Sequence, residues 1–117
     1  MDAQKKILID KAYAAFNKRD IESVLDLMHE NVHWPNGWEG GYVEGRHAVK
    51  EYWIRQWKEI EPYVTPISII EKDNGTFEVN VQQVIKDLRG NLLFDGQLKH
   101  VYSFESNLIK GMEIEKP

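Results

Sequence analysis

The stretch from Asn91 to Glu105, NLLFDGQLKHVYSFE, decides how the rest of the chain is interpreted. Its apolar and polar residues alternate, which is typical of a β-strand with one buried face and one solvated face. His100 lies in the middle of the apolar face, among side chains that would otherwise form an ordinary core. The alternation assigns Leu98, His100, Tyr102 and Phe104 to the apolar face, and Gln97, Lys99, Val101 and Ser103 to the other face. We therefore expect a titratable imidazole inside the protein, at the wall of a closed pocket.

Length and composition predict one domain over residues 1–117, with a core that needs no disulfide. The chain contains 42% hydrophobic residues, 29% charged residues and no cysteine, which is compatible with a reducing cytosol. The N-terminal segment MDAQKKILIDK has no apolar run of signal-peptide length, and no stretch is long enough to span a bilayer. We therefore expect a cytoplasmic protein without membrane contact. The net charge of −4 and the absence of a basic run argue against nucleic acid as a partner.

The first half of the chain predicts three helices. Residues 2–18 carry apolar side chains at helical spacing. Asp20 is suited to cap a second helix over residues 21–28. A third helix is predicted from residue 45 to residue 60, where Glu61-Pro62 should end it because the residue before a proline disfavours helix.

The second half of the chain changes from helical spacing to alternation. Asp73-Asn74-Gly75 is a hairpin signal, and Asp95-Gly96 suggests a bulge. The predicted strands span residues 63–72, 76–86, 91–105 and 108–115, with a short strand at 32–34 before a glycine-punctuated loop at 36–45. Helices followed by a meander predict an α+β fold, in which one curved sheet covers the helices.

Several motifs in this order resemble the SnoaL-like branch of the nuclear transport factor 2-like superfamily, which includes ketosteroid isomerase. The motifs are AAFNKRDIESVLDLMHENVHW, VEGRHAVKEYW, LKHVYSF and LIKGMEI, and together they cover most of the chain. The resemblance implies a cone-shaped α+β barrel, with three N-terminal helices packed in the concave face of a curved, mostly antiparallel sheet. It also implies a ligand cavity on the concave side and, commonly, a homodimer formed by the outer face of the sheet. The fold hosts many activities, so the activity has to be argued from the site.

The functional positions of ketosteroid isomerase are only partly matched. Asn36 falls where the isomerase has its catalytic aspartate, and an asparagine cannot accept a proton usefully near neutral pH. Ala12 falls at the tyrosine that supports the oxyanion, although Tyr13 is adjacent, and His100 falls at the protonated aspartate. Steroid isomerisation by that mechanism is therefore not expected. The Asp-Arg-Asp arrangement of the related epoxide hydrolases is not evident either.

His100 is the strongest candidate for a catalytic residue. An imidazole on an apolar face can hydrogen-bond a carbonyl or act as an acid or base with a pKa tuned by burial. The other interpretation is a core histidine that a neighbouring group satisfies. Tyr102 shares the same face and is the second catalytic candidate. The candidate ligand-binding residues are Tyr13, Trp34, Asn36, Trp53, Gln83 and Leu98.

A metal site would have to combine His100 with His33 and a third ligand such as Asp95 or Glu39. No spacing motif supports this combination, so neither a metal nor another cofactor is expected. Whether His33 or Trp34 faces the pocket is left open, because neighbouring residues of a strand point in opposite directions.

These features predict a pocket protein for a small apolar or carbonyl-containing ligand. If it is an enzyme, His100 would serve in acid–base chemistry or carbonyl polarisation of an isomerase, cyclase or dehydratase type. The alternative is a non-catalytic dimerisation module with a vestigial pocket. Val84 and Val101, apolar residues on the otherwise polar sheet face, favour that alternative, and an open cavity would favour the first.

Overall fold

The structure is a computed structural model in which residues 2–117 are described, and these form three helices and six strands. The helices are α1 (Ala3–Asn17), α2 (Ile21–Leu25) and α3 (Arg46–Gln56). The strands are β1 (Met28–Pro35), β2 (Tyr42–Glu44), β3 (Ile60–Glu71), β4 (Phe77–Asp87), β5 (Leu92–Glu105) and β6 (Leu108–Glu115).

The six strands form one sheet in the order β2-β1-β6-β5-β4-β3. β1 and β6 run parallel, and every other neighbouring pair is antiparallel. The sheet curves around the helices without closing, so β2 and β3 are its edge strands. The predicted α+β class, with three helices in the concave face of a mostly antiparallel sheet, is confirmed.

Helix α1 is fixed at both ends. At its start, the carboxylate of Asp2 accepts hydrogen bonds from two backbone N–H groups of the first turn. At its end, the Asn17 side chain donates to the carbonyl of Val64 at 2.7 Å and accepts from the N–H of Val64 at 3.0 Å. This amide therefore satisfies both backbone groups of a residue in the edge strand β3. The helix presents Ile9, Ala12 and Tyr13 to the interior.

Helix α3 starts at a tight approach to the sheet. Gly45 has a φ of 87°, which L side chains rarely adopt, and its N–H donates to the carbonyl of Val32 at 2.8 Å. A Cβ at this position would lie 3.4 Å from the carbonyl oxygen of Glu30. Glycine therefore allows α3 to leave the sheet at the point where its inward face can cover the cavity.

Two helix ends were predicted too late. The second helix ends at Leu25, and Met28 begins β1, where it is fully buried and pairs with Ile109 of β6. The third helix ends at Gln56, and Ile60 already begins β3. Both errors arise because a short apolar run fits a buried strand as well as a helix, and only the distant pairing partner decides between them.

Pro62 was expected to stop a helix but lies inside β3. An edge strand tolerates proline because one row of its N–H groups has no strand to bind. Strand β2 was not predicted, because its three residues pair with β1 from within the glycine-rich loop. The irregularity expected at Asp95-Gly96 lies earlier in β5, where the register with β4 shifts between Leu92 and Phe94.

Candidate functional site

A cavity of about 310 Å³ lies between the helices and the concave face of the sheet. Its wall is mainly apolar and aromatic. No aspartate, glutamate, lysine or arginine is found among the described residues that line it. Seven of the eight candidate site residues line this cavity: Tyr13, Trp34, Trp53, Gln83, Leu98, His100 and Tyr102. Most of the candidates selected from the sequence pattern and the family resemblance therefore surround one space.

His100 is held at the cavity wall by both sheet and helix. It pairs with Val79 of β4 and Ile114 of β6 in the ladder, and only 5% of its surface is exposed. Its Nδ1 lies 2.8 Å from the hydroxyl of Tyr13 on α1, and the two rings stack with centroids 5.9 Å apart. Burial lowers the pKa of the imidazole to about 4, so the ring is neutral at pH 7.

The two tyrosines beside His100 also stay uncharged. Burial, with Tyr102 alongside, raises the pKa of the Tyr13 phenol well above its usual value. Burial likewise raises the pKa of Tyr102, whose ring meets that of Tyr13 edge-on at a centroid distance of 6.1 Å. At neutral pH, His100, Tyr13 and Tyr102 therefore form a group of uncharged donors and acceptors in an apolar wall.

Two tryptophans shape the cavity beside this group, and Trp34 contacts the ring of Tyr102 at a centroid distance of 6.3 Å. Trp34 on β1 and Trp53 on α3 meet edge-on, with ring centroids 5.9 Å apart. Trp34 is 9% exposed and Trp53 is 2% exposed, so both are fixed by packing. They provide two rigid aromatic surfaces at nearly a right angle, suited to an apolar ring system.

Gln83 and Leu98 occupy the β4 and β5 part of the wall. Gln83 is half-buried and pairs with Val64 on one side and Gly96 on the other. Its inward position puts a neutral amide between apolar neighbours. Leu98 pairs with Val81 and adds apolar surface next to His100.

Asn36 is not brought to the cavity lining. Its side-chain oxygen accepts from the N–H groups of Trp38 and Glu39, and its amide donates to the Glu39 carboxylate at 2.9 Å. Arg55 of α3 binds the same carboxylate. Asn36 therefore holds the loop that follows β1 against α3, and Gly37 of this loop does reach the cavity wall.

Tyr52 and Gln56 of α3 line the cavity as well, and the sequence interpretation did not select them. The Gln56 amide nitrogen donates to the Tyr52 hydroxyl at 2.9 Å. Burial raises the pKa of Tyr52, and hydrogen bonds from the backbone N–H groups of Trp38 and Gly37 partly offset this rise. The sequence does contain an indication that Gln56 faces inward, because it is the one polar residue in a helical stripe that begins with Val49 and Trp53.

His33 lies on the outer face of the sheet, which answers the question that the sequence left open. Its ring stacks on Tyr42 at 4.3 Å and contacts the carboxylates of Glu44 and Glu113. It is thus separated from His100 by the sheet. Across residues 2–117, no group of three or more histidine, aspartate or glutamate side chains is arranged to hold a metal ion. Within the same residues, no helix is long and apolar enough to cross a bilayer.

The SnoaL-like domain matches residues 9–106, and the chain therefore belongs to this family. No curated protein matches the chain. Among solved structures, the chain is similar to TerC, crystallised with polyporic acid, at 25% identity and a TM-score of 0.84. That match covers 97% of this chain and 92% of TerC.

Two further structures share the fold at lower identity. RV0760c from Mycobacterium tuberculosis, solved in complex with estradiol-17beta-hemisuccinate, is 16% identical with a TM-score of 0.82. That match covers 95% of this chain and 92% of RV0760c. A putative polyketide cyclase from Pseudomonas putida is 15% identical with a TM-score of 0.80, covering 94% and 89% of the two chains.

Proposed function

We propose that the protein binds a small, uncharged, largely apolar molecule that carries a carbonyl group, and that His100 polarises this carbonyl. The observation that carries the proposal is the hydrogen bond between the Tyr13 hydroxyl and His100 Nδ1, 2.8 Å long, at the wall of a cavity without charged residues. TerC and RV0760c, which share the fold, were crystallised with polyporic acid and in complex with estradiol-17beta-hemisuccinate, and this supports a small-molecule ligand.

What His100 offers to a ligand depends on which group donates in this hydrogen bond, and we propose that Tyr13 is the donor. Because the pKa of Tyr13 is raised, its hydroxyl keeps its proton and has it available for Nδ1. The hydrogen of the neutral imidazole then lies on Nε2, which has no protein partner among the described residues. A neutral imidazole of this kind is a hydrogen-bond donor for a carbonyl oxygen, and it stabilises negative charge that develops there.

Carbonyl polarisation fits better than proton abstraction. A group with a pKa of about 4 is a weak base at pH 7, and efficient general bases have a pKa near the working pH. The described residues that line the cavity include no carboxylate that could accept the proton. Any isomerase-, cyclase- or dehydratase-type reaction would therefore depend on His100 as donor, with Tyr13 orienting it and Tyr102 packed behind Tyr13.

The cavity limits the ligand by charge and by size. A charged ligand would lose its hydration without gaining an ion pair, which is costly in an apolar wall. A volume of about 310 Å³ is at the lower end of ligand pockets and suits a compact ring system. The flat surfaces of Trp34 and Trp53 favour an aromatic or fused-ring molecule.

The test compares 2-acetylnaphthalene with 2-ethylnaphthalene, which differ in the carbonyl, by titration monitored through tryptophan fluorescence. One hydrogen bond in a desolvated site predicts about a tenfold preference of the wild type for the ketone. His100→Phe should bind the hydrocarbon as before and lose the preference, with circular dichroism confirming the fold. Equal affinity of the wild type for both probes would refute carbonyl recognition.

A second proposal concerns assembly: a homodimer through the outer face of the sheet, with the whole domain acting in the cytoplasm. Tyr63 and Ile70 of β3 are 54% and 50% exposed on that face, and Tyr63 pairs with Val84. Val101 lies on the same face of β5.

An open cavity favours ligand binding over a purely structural module, but the two roles are compatible. Light scattering should give twice the chain mass for the wild type and a lower mass for Val84→Lys.

A further inference from the structure

The cavity opens to water at one end of the sheet. Among the described residues that line it, three are exposed: Gly37 after β1, Phe94 near the start of β5 and Ile114 near the end of β6. These positions lie at the same end, because β1 and β6 run parallel and β5 runs antiparallel to β6. A Cβ on Gly37 would lie 3.6 Å from the Cδ1 of Ile114, so these two residues are in contact. Phe94, which is 39% exposed, is therefore the aromatic residue at the mouth of the cavity.

The ring of Phe94 lies over Gly96, the next residue on the same face of β5. A Cβ on Gly96 would lie 3.0 Å from the Cζ of Phe94 and 3.5 Å from both Cε atoms, and the first distance is tighter than ordinary van der Waals contact. Gly96 does not have a positive φ, so the backbone conformation does not require glycine here. What the glycine provides is the space in which the ring lies, and a larger side chain would have to displace the ring.

This part of β5 is paired on one side only. Pairing with β6 ends at Lys99, opposite Glu115, whereas pairing with β4 continues to Leu92. The register with β4 also shifts between Leu92 and Phe94, an irregularity that often redirects a side chain beside a binding site. A half-exposed side chain on a strand with a free edge moves at lower cost than an aromatic ring in the core. The Phe94 ring is therefore an adjustable part of the cavity wall.

We propose that Phe94 limits the length of the ligand that the cavity accepts, with Gly96 providing the space for its ring. A ligand that extends from His100 past Leu98 towards the mouth meets this ring, because these residues share the inner face of β5. Without the ring, the space above Gly96 is bounded by backbone and becomes part of the cavity. The ligand class that follows is a compact fused-ring molecule rather than a linear one. This inference rests on the proposed function, since it needs an apolar ring compound in the cavity.

The experiment compares 2-ethylnaphthalene with the longer 2-phenylnaphthalene by titration monitored through tryptophan fluorescence. Neither probe carries a carbonyl, so the comparison is independent of His100 as a hydrogen-bond donor. The wild type should bind the phenyl compound no more tightly than the ethyl compound, because the added ring stays in water or has to displace Phe94. Phe94→Ala should bind the phenyl compound about tenfold more tightly than the ethyl compound, since the added ring is then buried above Gly96.

Three further variants show whether the space above Gly96 is responsible. Phe94→Leu keeps part of the apolar volume and should show an intermediate preference. Gly96→Leu, added to Phe94→Ala, refills the space and should abolish the preference for the phenyl compound. Leu93→Ala is the matched control, because Leu93 is 54% exposed and is not among the residues that line the cavity, and it should bind both probes as the wild type does. Thermal unfolding followed by circular dichroism shows whether each variant is folded at the titration temperature.

Four results would overturn the inference. The wild type could already prefer the phenyl compound by about tenfold, Phe94→Ala could lack this preference, the double variant could keep it, or Leu93→Ala could acquire it. In each of these cases, binding of 2-ethylnaphthalene by the wild type would leave the proposed apolar pocket in place. If the wild type bound neither probe, both the proposed function and the inference would be contradicted.

Discussion

His100 and His33 lie on opposite faces of one sheet, and their surroundings differ in the kind of polar group they contain. His100 is buried against the uncharged Tyr13 and Tyr102. The His33 side chain is 40% exposed and lies between the carboxylates of Glu44 and Glu113. The inner face keeps only neutral polar groups, whereas the outer face carries its charges in contact with water.

This difference shows which histidine is prepared for a ligand. The Glu44 carboxylate contacts the ring of His33 and Tyr42 stacks on it, so this exposed ring already has partners on the outer face. The ring of His100 lines the cavity with one nitrogen bound to Tyr13, and its other nitrogen has no partner among residues 2–117. The distinction is one of solvation: the inner polar groups have lost their water and need a partner.

The largest effect should come from placing a charge on the inner face. Val81→Asp puts a carboxylate at a fully buried position of β4, and we expect the free energy of unfolding to fall by about 4 kcal/mol. Asn80→Asp is the matched control on the outer face, where Asn80 bonds Ser68 and pairs with Lys99, and its effect should stay within about 0.5 kcal/mol. Urea denaturation measures both. Similar losses for the two variants would contradict the contrast between the faces.

A second effect concerns the pH dependence of stability. The pKa of His100 is about 4 in the folded protein and 6.5 as its ordinary value, so the unfolded chain binds a proton first as the pH falls. The part of the free energy of unfolding that depends on a neutral His100 is fully present above pH 6.5 and is lost as the pH falls towards 4. The loss is about 1.4 kcal/mol for each pH unit and reaches about 3 kcal/mol in total.

His100→Phe should lack this part of the pH dependence. The measurement is the free energy of unfolding at several pH values between 4 and 7 for both proteins, and the difference between the two curves isolates His100. Parallel curves would show that the imidazole is solvated in the folded protein, contrary to the structure.

The smallest effects should come from removing one hydroxyl on each face. Tyr13→Phe loses the hydrogen bond to His100, which we expect to cost about 1 kcal/mol and to weaken the preference for the ketone probe. Tyr42→Phe loses the bond to the exposed Glu113 carboxylate and should change stability by less than about 0.5 kcal/mol, with the ketone preference intact. A ketone preference that survives Tyr13→Phe unchanged would remove Tyr13 from the site.

The sequence predicted the inner face of β5 well, because alternation over a long strand is a strong local signal. It therefore assigned His100 and Tyr102 to the interior side, where both line the cavity. It did not predict that β1 begins at Met28 or that β3 begins at Ile60, since both are decided by pairing with distant strands. The order of helices and strands predicted one curved sheet over the helices, and the family resemblance added the ligand cavity on its concave side.

The candidate site was predicted less completely than the fold. Asn36 was selected by its alignment with a catalytic aspartate, but its side chain is engaged in the turn chemistry of its own loop. Gln56 was not selected as a site residue, although helical spacing places it alongside the apolar face that contains Val49 and Trp53. Only the packing of α3 against the cavity shows that this amide is buried.

The most direct test of the central claim follows the carbonyl carbon of bound 2-acetylnaphthalene, labelled with carbon-13 at that position, by nuclear magnetic resonance. A carbonyl that accepts a hydrogen bond from His100 Nε2 should resonate downfield of the same ketone in an apolar solvent, and His100→Phe should return the signal to the apolar value. An apolar signal in the wild type, or the same shift in both proteins, would contradict carbonyl polarisation by His100.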